Sequence, residues 1–213
     1  MLRAKMVSAK EIKNLREEGV AVKEILDVGM VFLLSLAEAG VTADEAGLAQ
    51  EQLENAWIKV TDRVVERAGA DLDRLTATAL EDFRERAGDD LKHVKMSELL
   101  AEFQVEEAGS EFLYVAPRFI EDGGVILADT ETLEAFAQEK DSDLFIIPSS
   151  KHEIMIMLEK EKPADLTEEY IRGVIGHVNR TQVRDEDILS NNLYHYTRGL
   201  RRLEVILPIG AGA

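Results

Sequence analysis

Apolar positions recur at intervals of three and four over residues 1–109, whereas over residues 110–208 they gather into short runs between polar knots. The first pattern predicts helices and the second strands. Ser8 and Glu11 in "SAKE" form a capping-box pair that opens a short helix through Ile12 and Leu15, with Gly19 as its stop. Val22, Ile25, Leu26, Gly29, Met30, Leu33 and Leu34 then fall at helical spacing, although Val28 to Leu34 equally suits a buried strand. "TADE" repeats the box with Thr42 and Glu45. It is expected to open the longest helix, with Leu53, Trp57, Val60, Val64 and Ala68 on one stripe and Gly69 as the stop. Asp71 caps a helix carrying Leu72, Leu75, Ala79 and Phe83 that ends near Gly88, and "SELLAEF" is a shorter one.

In the second half, "FLYVA" and "GVILA" read as strands joined by "PRFIEDG". Asp129 or Thr130 caps a helix through Phe136. "LFII" and "EIMIML" form a second pair of strands, and Thr167 caps a helix expected to turn Tyr170, Ile171, Val174, Ile175 and Val178 inward. "DEDILSNNLYHY" reads as a short helix or helical turns, and "LEVIL" as a last strand. The expected fold is α+β: an N-terminal helical segment, then a ββαββα unit with a largely antiparallel sheet. The expected organisation is a helical region over 1–109, an α+β domain over 110–208 and a frayed tail at 209–213. Trp57, Phe83, Phe112, Phe145, Ile147, Ile154 and Ile156 are the expected core.

Charge changes this picture most at the N-terminus. The chain of 213 residues carries a net charge of −17, yet residues 1–40 hold six basic and six acidic side chains and are neutral. Residues 41–110 carry eight and seventeen, a net of −9, and residues 111–213 carry eleven and nineteen, a net of −8. An acidic chain repels phosphate backbones and anionic lipid, so neither nucleic acid nor membrane is an expected partner. Cysteine is absent, which excludes disulfides, thiol catalysis and cysteine-ligated zinc. The longest apolar run, Val28 to Ala37, is far shorter than the roughly twenty residues of a membrane span. A soluble, cytoplasmic protein is the expectation.

The chemistry concentrates in "PSSKHE", between the two strands of "DLFIIPSSKHEIMIM". Serine, histidine and glutamate together suggest hydrolysis, making Ser150, His152 and Glu153 the weak catalytic candidates. A triad needs the serine within hydrogen-bond reach of the histidine. On a strand, Ser150 and His152 share a face roughly 7 Å apart, and Glu153 faces the other way. No Gly-x-Ser-x-Gly elbow supports either serine. A shaped corner fits better, with Pro148 ending one strand and the serine hydroxyls holding nearby backbone. Ser149, Ser150, His152, Asn179, Gln182, Tyr194 and His195 are the binding candidates. Brought together they would line a small polar pocket or form an internal network tying helix ends to the sheet. None of His93, His152, His177 and His195 lies in a metal-binding helix pattern, and no phosphate-cradling glycine loop is present. No metal and no cofactor are expected.

"LYV", "GGVIL", "PSSKHE", "VNRTQV" and "LSNNLYHY" together resemble the C-terminal part of an uncharacterised bacterial family, a domain of unknown function. The matching positions include Pro148, Ser149, Ser150, His152, Glu153, Asn179, Thr181, Gln182, Leu189, Ser190, Tyr194, His195 and Tyr196. The resemblance is strongest over 110–197 and loose over 45–68. "VAPRF" replaces the threonine and asparagine that follow the family's first strand, and Asn191 and Asn192 also depart from its pattern. The resemblance implies a fold and no activity.

The expected function is therefore a small non-catalytic binding or regulatory protein. A hydrolase using the Ser150, His152 and Glu153 corner and an oligomeric structural protein are the alternatives. The neutral segment 1–40 is the expected docking element for a protein partner or for a second copy in a homodimer. The same apolar stripe packed within the chain is the competing arrangement.

Overall fold

A computed structural model describes residues 1–102, 112–117, 121–148 and 150–206. The fold is α+β with antiparallel sheets, in two compact units, Met1–Arg86 and Ala87–Ala213.

The first unit corrects the helical N-terminus. Strand β1 (Leu2–Val7) leads into α1 (Ala9–Glu17), then β2 (Val22–Ile25) and β3 (Val28–Ser35). β3 pairs antiparallel with β1 on one side. On the other side it pairs with β2 and then with β4 (Trp57–Lys59). The expected helix over Val22 to Leu34 is thus a hairpin, turning at Leu26 with φ 57°. A short continuous apolar run satisfies helical spacing and a buried strand alike. Here the strand wins, with Val28, Met30, Val31 and Phe32 all buried. Gly29 lets the layers close: a Cβ there would lie 2.8 Å from Val22 and 3.0 Å from Ile12 and Val7. Val7, Leu15, Val20, Val22 and Val31 make one core cluster; of the expected stripe Val22 and Met30 are buried, Ile25, Leu33 and Leu34 half-buried and Leu26 exposed.

The long helix expected from Thr42 to Gly69 is also broken. It becomes α2 (Ala43–Ala46), α3 (Gln50–Glu54), β4 and α4 (Asp62–Ala68). Gly47 terminates α2 in the left-handed region at φ 65°. The Trp57–Ile58–Lys59 run then pairs with Ser35, Leu34 and Leu33 instead of coiling. Helix α5 (Leu72–Ala87) follows, with Phe83 buried. Trp57 is only half-buried, its ring beneath the Arg3 guanidinium at 4.2 Å.

The second unit holds a six-stranded antiparallel sheet in the order β10-β9-β7-β8-β6-β5. Its members are β5 (Val94–Lys95), β6 (Leu113–Ala116), β7 (Leu144–Ile147), β8 (Ile154–Leu158), β9 (Tyr194–Thr197) and β10 (Arg202–Val205). Helix α6 (Met96–Glu102) follows β5, α7 (Thr130–Lys140) precedes β7, and α8 (Glu168–Thr181) precedes β9. Two expectations fail here. "GVILA" is not a strand but lies in a buried 3-10 segment, Gly123–Ala128, and β6 pairs with β8 instead. The YHY stretch is strand β9, not helical turns.

Register sorts the side chains by period two. Tyr114, Ile146, Ile156 and Tyr194 are cross-strand neighbours on one face, with Tyr114 against Phe136 of α7. Phe145, Met157 and His195 occupy the other, where Phe145, Ile147 and Met157 pack with Ile171 and Ile175 of α8. Phe83, Phe145, Ile147, Ile154 and Ile156 are buried as expected, whereas Phe112 is half-buried. On α8 the expected inward set narrows: Ile171 and Ile175 are buried with Asn179 on one seam at intervals of four, while Tyr170 and Val174 fall beside that seam and are exposed.

Candidate functional site

The corner between β7 and β8 is held almost wholly by backbone groups. Ser190 N–H donates to the Pro148 carbonyl at 3.1 Å, and Lys151 N–H to the Asp187 carbonyl at 2.9 Å. Ser150 forms an isolated bridge with Ile188. From the other side Gly124 N–H donates to the Lys151 carbonyl at 2.9 Å. The Ser150 hydroxyl accepts from His152 N–H at 3.0 Å, the local side-chain-to-backbone turn that serine favours. Lys151 is itself buried, and Ser149 lies outside the described residues.

The His152 ring pairs with Asp187. Its Nε2 meets Asp187 Oδ1 at 3.1 Å, and Arg184 donates to Asp187 Oδ2 at 2.9 Å. The His152 hydrogen bond is the largest influence holding the Asp187 carboxyl below its usual range; burial opposes it and Arg184 adds to it. Glu153 is exposed. Among the described residues no hydrogen bond joins Ser150 Oγ to an imidazole, so the nucleophile–base contact that activates a serine is not formed.

The binding candidates divide between places. Asn179, buried at the end of α8, donates to the Ser190 carbonyl at 3.0 Å and to Asn191 Oδ1 at 2.9 Å. Through Ser190 it ties the helix to the Pro148 corner. Gln182 is exposed, and its Nε2 meets the Thr181 hydroxyl at 3.5 Å. Tyr194 is fully buried. His195 lies toward the far end of the sheet, where its Nε2 is 3.2 Å from Glu159 Oε2. Glu153 and Glu159 bracket β8, about 20 Å apart on an extended strand. The structure therefore gathers Ser150, His152 and Asn179 and sets His195 apart.

Two features were missed in the sequence. Glu134, buried on α7, accepts from the Tyr196 hydroxyl at 2.9 Å, from Gly199 N–H at 3.1 Å and from Gln138 Nε2 at 2.7 Å. Desolvation pushes its pKa up, but these bonds and the Arg201 charge outweigh it, and the net shift is downward. Burial, then the bond to Glu134, pushes the Tyr196 hydroxyl up. A buried tyrosine needs a partner for its hydroxyl, which is the one signal that YHY carried.

The other is a groove of about 470 Å3 beside α7, lined by Leu91, Lys92, His93, Thr132, Phe136 and Glu139 among others. The His93 ring stacks on Phe136 at 3.9 Å. Burial lowers its pKa from 6.5 to about 4; Glu139 opposes the shift and Lys140 adds to it. The folded protein thus disfavours the protonated imidazole. Stability is fully present above pH 6.5 and falls as the pH drops toward 4, where the loss levels off. The loss is expected to be about 3 kcal/mol at most. Urea unfolding at several pH values compares the wild type with His93→Phe, whose profile is expected to be flatter over this window. Parallel profiles would count against a neutral, desolvated His93.

A family model described as "Family of unknown function (DUF5688)" matches residues 3–198, and the chain belongs to that family. The match reaches well beyond the C-terminal region in which the sequence motifs are concentrated. No curated protein and no solved structure matches the chain.

Proposed function

We propose that this DUF5688 chain is a non-catalytic binding or regulatory protein and that the Pro148–Glu153 corner is architectural. The supporting observation is that the Ser150 hydroxyl accepts from His152 N–H and, among the described residues, makes no hydrogen bond to the His152 ring, whose Nε2 pairs with Asp187. A hydrolase reading needs the hydroxyl on the ring and a carboxylate on the ring's other nitrogen. A cytoplasmic setting belongs to the same reading. No helix among the described residues is long and apolar enough to cross a membrane.

The test treats the full chain with a fluorophosphonate serine probe and measures unfolding of Ser150→Ala. Ser150 is expected to stay unlabelled. Its removal is expected to cost about 1–2 kcal/mol, because His152 N–H loses its acceptor. Labelling of Ser150 that disappears in His152→Ala would establish the hydrolase instead.

Self-association through residues 1–40 is a second reading, now carried by β1, which stands at the end of the first sheet's strand order. Such a strand has backbone groups suited to pairing with another chain. Sedimentation as a monomer at high concentration would eliminate it.

A further inference from the structure

We infer that Asp143, Glu159 and His195 form a site for one divalent transition-metal cation, the ligand class being Zn2+-like. Each offers a ligand atom, and these atoms all lie within 4.8 Å of one another. The convergence follows from register. Asp143 precedes β7 and Glu159 follows β8, where Glu159 N–H donates to the Asp143 carbonyl at 2.9 Å. Two-residue alternation places Asp143 on the same face as Phe145, whose cross-strand partner in β9 is His195. Three neighbouring strands therefore present a carboxylate, a carboxylate and an imidazole on one face at one end of the sheet.

The spacing suits an ion. Ligand atoms at about 2.1 Å from a common zinc lie about 3–4 Å apart. His195 Nε2 and Glu159 Oε2 already stand at 3.2 Å. The donor set also selects the metal. Calcium and magnesium favour all-oxygen shells, whereas one imidazole with two carboxylates suits borderline first-row cations. Charge favours occupancy as well. Two carboxylates this close repel each other unless a cation lies between them, and the chain as a whole carries −17.

The nearby cationic side chains are directed elsewhere. The Arg198 guanidinium pairs with Asp141, although its backbone N–H donates to Asp143 Oδ1 at 2.9 Å and so orients that carboxylate. Lys160 Nζ donates to the Lys140 carbonyl, and Lys162 Nζ to the Leu166 carbonyl. Glu204, opposite His195 on β10, pairs with Arg202. The remaining ring nitrogen of His195 faces the Thr197 hydroxyl at 3.5 Å. An outer partner of this kind fixes the ring of a metal-bound histidine.

The experiment uses the full chain, treated with EDTA and exchanged into buffer, and titrated with Zn2+ in a calorimeter. One saturable Zn2+ per chain is expected. His195→Gln and Asp143→Asn are each expected to weaken it by about tenfold or more, and His152→Gln to leave it unchanged. Circular dichroism checks that each variant is folded. Imidazole NMR of the wild type supplies the second measurement, with the His195 ring signals expected to move on adding Zn2+. No saturable binding, unchanged affinity in folded His195→Gln, loss on His152→Gln, or unmoved His195 signals would overturn the site. Displacement of Zn2+ by equimolar Ca2+ would do the same, because it would show an all-oxygen preference.

Discussion

Phe145→Ala is expected to destabilise the second unit by about 3–5 kcal/mol. Phe145 is 2% exposed and sits in β7, with β8 on one side and β9 on the other. Its ring belongs to the cluster of Ile147, Met157, Ile171, Ile175 and Leu193, which joins the sheet to α8. It also meets the edge of the His195 ring at 5.2 Å. Truncation removes the transfer energy of a phenyl ring and leaves a cavity. Strands on both sides and a helix above resist the collapse that would refill it. Urea denaturation followed by far-UV circular dichroism measures the loss. A change below about 1 kcal/mol would mean that the site repacks and that α8 is not a fixed lid over this face.

The same residue shows what was legible in the sequence. "LFII" and "EIMIML" read as strands because each is a short β-forming run bounded by turn residues, and the tight corner between them makes their pairing local. The helix starts at Ser8, Thr42 and Thr167 were legible for a similar reason. Their signals span three residues, and Glu11 and Glu45 do accept from the backbone N–H groups of Ser8 and Thr42. Gly69 and Asp129 likewise act where their residue types predicted.

What failed depends on distant partners. Val28 to Ser35 is a strand because β1, β2 and β4 flank it. Trp57 leaves its helical stripe to pair with Ser35. β9 is a strand because β7 and β10 accept it, and its Asn- and Asp-rich approach obscured the alternation of YHY. The chemistry divides in the same way. Ser150 and His152 were found as a motif, but His152's partner Asp187 is 35 residues away. Tyr196 meets Glu134 across 62 residues. Asp143, Glu159 and His195 converge only through strand register, which no spacing along the chain encodes.

Gly123→Ala is expected to cost about 3 kcal/mol or more, the upper range for forcing extra atoms into a filled site. Backbone conformation is not the obstacle, because Gly123 is not among the positive-φ glycines. Space is. A Cβ there would lie 2.2 Å from the His152 carbonyl oxygen and 2.4 Å from Pro117 Cγ. A backbone oxygen and a proline ring cannot rotate aside as a lysine tip can. The neighbouring Gly124 is equally committed, donating to the Lys151 carbonyl and leaving only 2.7 Å between that oxygen and an added Cβ. These contacts explain why "GGVIL" forms no strand: its glycines let the 3-10 segment lie directly against the corner. Gly173→Ala provides the internal comparison. It sits exposed within α8 with nothing within 4 Å of an added Cβ, so the change is expected to stabilise by about 0.5–1 kcal/mol. Denaturation of both variants beside the wild type reads the contrast. A Gly123→Ala protein as stable as the wild type would show that the 3-10 segment does not press on the corner. The glycine pair would then reflect no packing constraint, and the architectural reading of Pro148–Glu153 would lose its main support outside the corner itself.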